Sequence, residues 1–219
     1  MTKKSFFGAM AVVTAVALTG SALVASNMGF KLNYTLSQSG AGSASGTNTL
    51  ALPDNRQTGM ADAKNLMDDI GFAGVTAVSK FLAATDTLQS YTGRKSGGTA
   101  FPLVAGQGLY VKMATTTNYI VVGSDDPAIA YVLSQSGAGS ASGTNFFAYN
   151  YHQTAADAKA LMDDIGFANV TAVSKFLKAT DTLQSYTGRK SGGTAFALTP
   201  GEAYYVKMAT TVNYTPSHY

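Results

Sequence analysis

VTAVSKFL at residues 75–82, followed after a Thr-Asp step by TLQSYTG at residues 87–93, returns unchanged at residues 170–177 and 182–188. Apolar and polar side chains alternate along both words. Val78, Lys80 and Leu82 point one way and Ser79 and Phe81 the other, which predicts a β-hairpin closed by a short turn. Downstream, GRKSGGT reads as a loop, residues 101–104 as a strand, AGQG or PGEA as a Gly-containing turn, and LYVKMAT or YYVKMAT as a further strand. Upstream, Ala63, Leu66, Met67 and Ile70 (Ala158, Leu161, Met162 and Ile165 in the second occurrence) recur at helical spacing and make one apolar face. Thr154 with Asp157 has the pattern of a capping box, and Gly71 and Gly166 stand where a C-terminal cap belongs. Strands near residues 31–38 and 49–52 flank SGAGSASG. Hairpin-length connections dominate, so the fold class is α+β and mostly antiparallel, with one short amphipathic helix lying on each sheet.

The duplication extends far beyond the hairpin. LSQSGAGSASGTN occurs at residues 36–48 and again at 133–145, and between residues 66–119 and 161–214, 45 of 54 positions are identical. Two copies so alike must share one fold. The organisation read from the sequence is a leader at 1–26, a first module at 27–123 and a second at 124–219. No rule of caps or turns explains why SGAGSASG repeats without change; it is either a flexible loop or one packed closely against a neighbour. Only GSDDP separates the last strand of the first copy from the first strand of the second, so the copies are expected to be tightly coupled.

Residues 1–26 carry Lys3 and Lys4, an apolar run from Phe6 to Leu18, the helix breaker Gly20 and then small residues, the plan of a bacterial secretory signal cut after Ala25 or Ser26. A retained anchor is the alternative, weakened by Gly20 and Ser21. A pilin-type leader after Gly8 lacks the expected glutamate. Without Lys3 and Lys4, the 15 cationic residues become 13 against 12 anionic, which excludes the electrostatic footprint of a nucleic-acid binder. Membrane contact is expected only through the leader, before cleavage. There is no cysteine, so disulfides and thiolate chemistry are excluded, and charged residues are only 12% of the chain, leaving a surface of Ser, Thr, Asn, Gln, Gly and Tyr.

No set of residues has the spacing of a catalytic or metal site. GRKSGGT brings Arg94 and Lys95, and in the second copy Arg189 and Lys190, beside glycines, but lacks phosphate-loop spacing and does not lead into a helix. Asp68 and Asp69, with Asp163 and Asp164, fall in the last helical turn and read as solvated. Asp125 and Asp126 before Pro127 read as turn formers. His152 and His218 have no counterparts in the other copy, which argues against a histidine-based site in so symmetric a chain. Neither an enzyme, a cofactor nor a metal is expected. Among the tyrosines, Tyr91, Tyr110, Tyr186, Tyr204 and Tyr205 are split by alternation between core and surface, and the exposed ones could stack on sugar rings. The candidate contact residues are therefore Arg94, Lys95, Arg189, Lys190, Tyr91 and Tyr186.

The run ADAKxLMDDI, VTAVSKF, TLQSYTG and F-x-L-x-PGEAYYVKM resembles a tandem β-rich module of secreted and cell-surface bacterial proteins that carries no assigned activity. The first copy departs from it at AGQGLYVKM. The resemblance implies export and β-rich repetition, and no site residues.

Export, low charge, duplication and the lack of a catalytic set lead to the expectation of a structural subunit of an extracellular filament or surface layer. Its partner would be itself: the free first strand (residues 29–38) and free last strand (residues 206–214) would pair head to tail between chains. Pro216 is then read as leaving an edge incomplete for that partner. The alternative is a surface module binding polysaccharide at two equivalent sites.

Overall fold

The first half of the chain runs β1 (Phe30–Leu36), β2 (Thr47–Ala51), β3 (Asn55–Arg56), α1 (Ala63–Ile70), β4 (Val75–Leu82), β5 (Thr87–Tyr91), β6 (Gly108–Met113) and β7 (Thr117–Ser124). The second runs β8 (Tyr131–Leu133), β9 (Thr144–Ala148), α2 (Ala158–Ile165), β10 (Val170–Leu177), β11 (Thr182–Tyr186), β12 (Ala203–Met208) and β13 (Val212–Tyr214). This computed structural model describes residues 29–56, 59–93, 98–188 and 193–218. The leader and the loop cations Arg94, Lys95, Arg189 and Lys190 lie outside the described residues.

Every strand pair is antiparallel, and the fold is the β-rich α+β class read from the alternation. The predicted hairpin is β4 with β5, Ser79 opposite Ser90 and Phe81 opposite Leu88, and it recurs as β10 with β11. Each hairpin belongs to a four-stranded sheet, ordered β2-β6-β4-β5 and β9-β12-β10-β11. Smaller sheets, β1-β7-β3 and β8-β13, stand opposite them. Leu66, Met67 and Val78 fill one core with Leu32 and Val121, and Leu161, Met162 and Val173 fill another with Leu133 and Tyr214. Each half buries its own apolar face.

Three local expectations are corrected. The helices are capped by Asp62 and Asp157, whose side chains accept from the backbone N–H of Asn65 and Ala160 at 2.8 Å, and not by Thr154. Thr154 instead donates its backbone N–H to the Ser217 carbonyl at 3.0 Å. Residues 101–104 form no ladder. They make one bridge, Asp62 with Pro102, and bury Phe101 beneath the Lys80 ammonium, 4.9 Å from the ring centre. Of the paired aspartates, Asp68 and Asp163 are exposed and pair with Lys64 and Lys159 at 2.6 Å. Asp69 and Asp164 accept from the Tyr119 and Tyr214 hydroxyls, at 2.7 and 2.5 Å, and so fasten each last strand to its helix.

The strands at the two ends are not free. β1 pairs along its whole length with β7, Leu32 against Val121 and Tyr34 against Tyr119, and β13 pairs with β8. This corrects the expectation that the first and last strands are free, and the coupling of the copies does not run through strands paired across GSDDP. Each terminal strand finds its ladder partner within its own half, and the linker merely turns at Asp126, whose carbonyl accepts from the Ile129 N–H at 3.1 Å. Pro216 is buried, and the tail after it folds back onto Asp164 through the Ser217 N–H at 3.2 Å, so no edge is left incomplete there.

The unchanged word LSQSGAGSASGTN now has a physical reason. Asn48 is 2% exposed; its Oδ1 accepts from the Ser37 N–H at 2.9 Å, and its Nδ2 donates to the carbonyls of Ser37 at 2.9 Å and Gly46 at 3.0 Å. Asn145 makes the same three bonds to Ser134 and Gly143. One amide thus closes both ends of the loop and replaces the ladder that the loop interrupts.

Candidate functional site

The loops closed by Asn48 and Asn145 reach the other half. Ala44 donates its N–H to the Lys178 carbonyl at 2.7 Å, and Ala141, its counterpart, to the Ala83 carbonyl at 2.7 Å. The close packing against a neighbour left open by the sequence is therefore present, and the neighbour is the other copy. Deeper in the seam, Ala51 N–H donates to the Gly201 carbonyl at 2.8 Å and Ala148 N–H to the Gly106 carbonyl at 2.9 Å. Every such contact occurs twice with the roles exchanged, the signature of a two-fold, isologous interface built within one chain.

Tyr110 and Tyr205, equivalent residues of β6 and β12, meet across the seam with their hydroxyls 2.5 Å apart. Burial, then this hydrogen bond, raise the Tyr110 phenol far above its ordinary value, so it stays neutral. Tyr110 stacks on Phe146 at 4.9 Å and meets Phe176 edge-on at 5.5 Å, while Phe81 meets Tyr205 edge-on at 5.4 Å. Gly108 makes room for this: a Cβ there would stand 2.7 Å from the Phe146 ring and 2.8 Å from the Ala203 methyl.

The two-fold seam leaves two related grooves, each walled by both halves. The first, about 420 Å³, is lined by Asn33, Thr35 and Thr49 from one half and by Lys178, Thr199 and Glu202 from the other. The second, about 350 Å³, carries Ala130, Val132 and Phe146 opposite Ala83, Val104 and Gln107 at the corresponding positions. The sites are equivalent in position and differ in chemistry. The first offers hydroxyls, an amide and both signs of charge, and the second exposes Val104 by 59% and Val132 by 66%.

A second polar feature occurs once, where the linker, the loops after β2 and β9, and the tail converge. Asp125 is 2% exposed, which corrects its reading as an ordinary turn former; Asp126 alone keeps that role, accepting from the Ala128 N–H at 3.0 Å. Asp54, also buried, faces Asp125. Burial first, then the hydrogen bond shared with the Asp125 carboxylate, push the Asp54 carboxyl up to about 7. His218 Nδ1 lies 2.8 Å and His152 Nδ1 3.9 Å from Asp125 Oδ2. The two histidines that looked unrelated in the sequence thus meet at one carboxylate. Phe30 stacks on Tyr151 at 5.1 Å beside them.

Of the residues singled out from the sequence, Tyr91 and Tyr186 are each 8% exposed and belong to the two cores, so they form no stacking surface. Tyr204 is wholly buried, its hydroxyl donating to Glu202 at 2.8 Å. Tyr110 and Tyr205 are spent in the seam. The groove residues went unnoticed in the sequence, although a signal existed: Ala83/Lys178, Val104/Thr199 and Gln107/Glu202 are among the few places where the copies differ. No helix among the described residues is long and apolar enough to cross a membrane. Comparison with protein-family models, with curated proteins and with solved structures found no match.

Proposed function

We propose that the chain is an exported, non-catalytic surface module that binds polysaccharide in the first seam groove. The observation that carries this reading is the groove's make-up: Asn33, Thr35, Thr49, Thr199 and Glu202 converge from both halves on an open cleft with Lys178 at its side. Short amide, hydroxyl and carboxylate groups over an apolar floor suit the alternating hydroxyls and C–H faces of a sugar chain, and they are held by a rigid scaffold. The second groove keeps the position but has Ala130, Val132 and Val104 where the first has Asn33, Thr35 and Thr199, so avidity from two like sites is not part of this reading.

Glycan-array binding of the leader-free protein tests it. Asn33→Ala with Thr199→Val alters only exposed side chains and is expected to lower affinity at least about tenfold, near 1.4 kcal/mol, with an unchanged melting temperature. Absence of any glycan ligand, or binding indifferent to this pair, contradicts it.

Self-assembly is the second reading, favoured by one observation. The outer edges of the two large sheets, β5 and β11, have the same sequence, and each exposes its leucine, Leu88 and Leu183, by 53%. Unprotected edges of this kind are the places where sheets join. Filaments seen by negative stain that dissolve on Leu88→Lys with Leu183→Lys would favour assembly over sugar binding.

A further inference from the structure

We propose that Asp54, Asp125, Asn150 and Gln153 form a binding site for a hard divalent cation of the calcium class, at the point where the linker joins the two halves. Two carboxylates are held against one another in the interior, and among the described residues no lysine or arginine forms an ion pair with either. The Arg56 guanidinium, whose charge reaches Asp54, spends its hydrogen bonds on the carbonyls of Met60 and Leu103 at 2.8 Å.

The second observation is independent of the acidic pair. Asn150 is 1% and Gln153 5% exposed, yet neither amide makes a well-formed hydrogen bond through its oxygen or its nitrogen. Asn150 lies against Asp54, and Gln153 against the hydroxyl of Tyr131, itself beside both aspartates. One oxygen of each carboxylate, Asp54 Oδ1 and Asp125 Oδ1, and the Tyr131 hydroxyl likewise lack a well-formed bond and lie against other members of the cluster. Buried polar atoms are seldom left unpaired, and so many at one place mark a site for a guest.

The chemistry of the guest follows from the donors. Two carboxylate and two amide oxygens are hard ligands, of the kind calcium takes at about 2.3 to 2.6 Å while completing its shell with water. Among the described residues no three His, Cys, Asp or Glu side chains are arranged to hold a metal, so the two amide oxygens must complete what the two carboxylates begin. His218, at 2.8 Å from Asp125 Oδ2, occupies the oxygen turned away from Oδ1 and orients the carboxylate. An open depression lined by Asp54, Arg56, Met60 and Ala105 lies on the outer side of the cluster.

The test uses leader-free protein stripped with EDTA and titrated with calcium at neutral pH. Saturating calcium is expected to raise the melting temperature by about 5 °C. Terbium should give luminescence sensitised by tyrosine, since the chain has no tryptophan, and calcium should displace it. Asp125→Asn and Asp54→Asn, which keep size and hydrogen bonding, are expected to abolish both effects. Should either variant fail to fold, terbium binding and its displacement by calcium in the double variant Asp68→Asn with Asp163→Asn, which keeps the buried cluster intact, still decide. Retention of both signals supports the buried site, and their loss places the ion on the helix surface and overturns it. A wild-type melting temperature indifferent to calcium, with no terbium signal, means the cluster holds water only and also overturns the proposal.

Discussion

Asn48→Ala and Asn145→Ala together are expected to leave the protein largely unfolded at room temperature, and each alone to cost about 3 kcal/mol. Each asparagine makes three hydrogen bonds of 2.9 to 3.0 Å from a buried position. A typical bond contributes about 1 kcal/mol, and a backbone group stranded in the interior costs about 1 to 3 kcal/mol more. The two sites lie in different halves, so their effects should nearly add. Their sum approaches the whole stability of a domain, about 5 to 15 kcal/mol. Urea denaturation followed by circular dichroism reads the loss directly. A cost below about 1 kcal/mol for either single variant would mean that the loop does not depend on its amide.

Gly106→Ala should be nearly as damaging, and more so than the equivalent Gly201→Ala. Gly106 has φ of 73°, and an added Cβ would fall 1.8 Å from Cε1 of Tyr131, a ring packed in from the opposite half. A left-handed backbone costs an alanine about 1 to 2 kcal/mol, and expelling a buried tyrosine ring adds at least as much. At Gly201 the same methyl would meet the hydroxyl end of Tyr34 at 2.7 Å, which yields more easily than the side of a ring. Thermal denaturation of both variants checks the ranking, and a larger loss at Gly201 would contradict the way the tyrosines enter the seam.

Much of the fold was legible because its causes are local. Alternation in VTAVSKFL and TLQSYTG specifies a hairpin whichever sheet it joins, and the spacing of Leu66, Met67 and Ile70 specifies a helix with one buried face. The pairing of β1 with β7 was not legible, since alternation tells which face a residue takes and not which strand lies beside it. The cap at Asp157 was missed for a smaller reason: Thr154 three residues earlier fits the same pattern, and only the tail, which binds its backbone, shows that it lies outside the helix.

The site was less legible than the fold. The grooves arise from a contact between copies, so their residues follow no spacing, and the visible trace is substitution: Thr35 against Val132, Asn33 against Ala130 and Thr199 against Val104. The polar cluster left a different trace. Asp54, Asp125, His152 and His218 come from four segments and none has a like partner in the other copy, which for the two histidines was counted against a site, while Asp125 read as a turn former and Asp54 drew no notice. Symmetry argues against a site only if the site lies inside a module, and this one lies where the modules meet.

The central claim is that the two copies close upon each other through a two-fold aromatic seam, from which the grooves follow. Aromatic nuclear Overhauser contacts in the leader-free protein test it most directly. Cross-peaks are predicted between Tyr110 and Phe146, 4.9 Å apart between ring centres, and between Tyr205 and Phe81, 5.4 Å apart. Tyr110 and Tyr205 showing contacts only to rings of their own halves would contradict the seam, and with it the grooves.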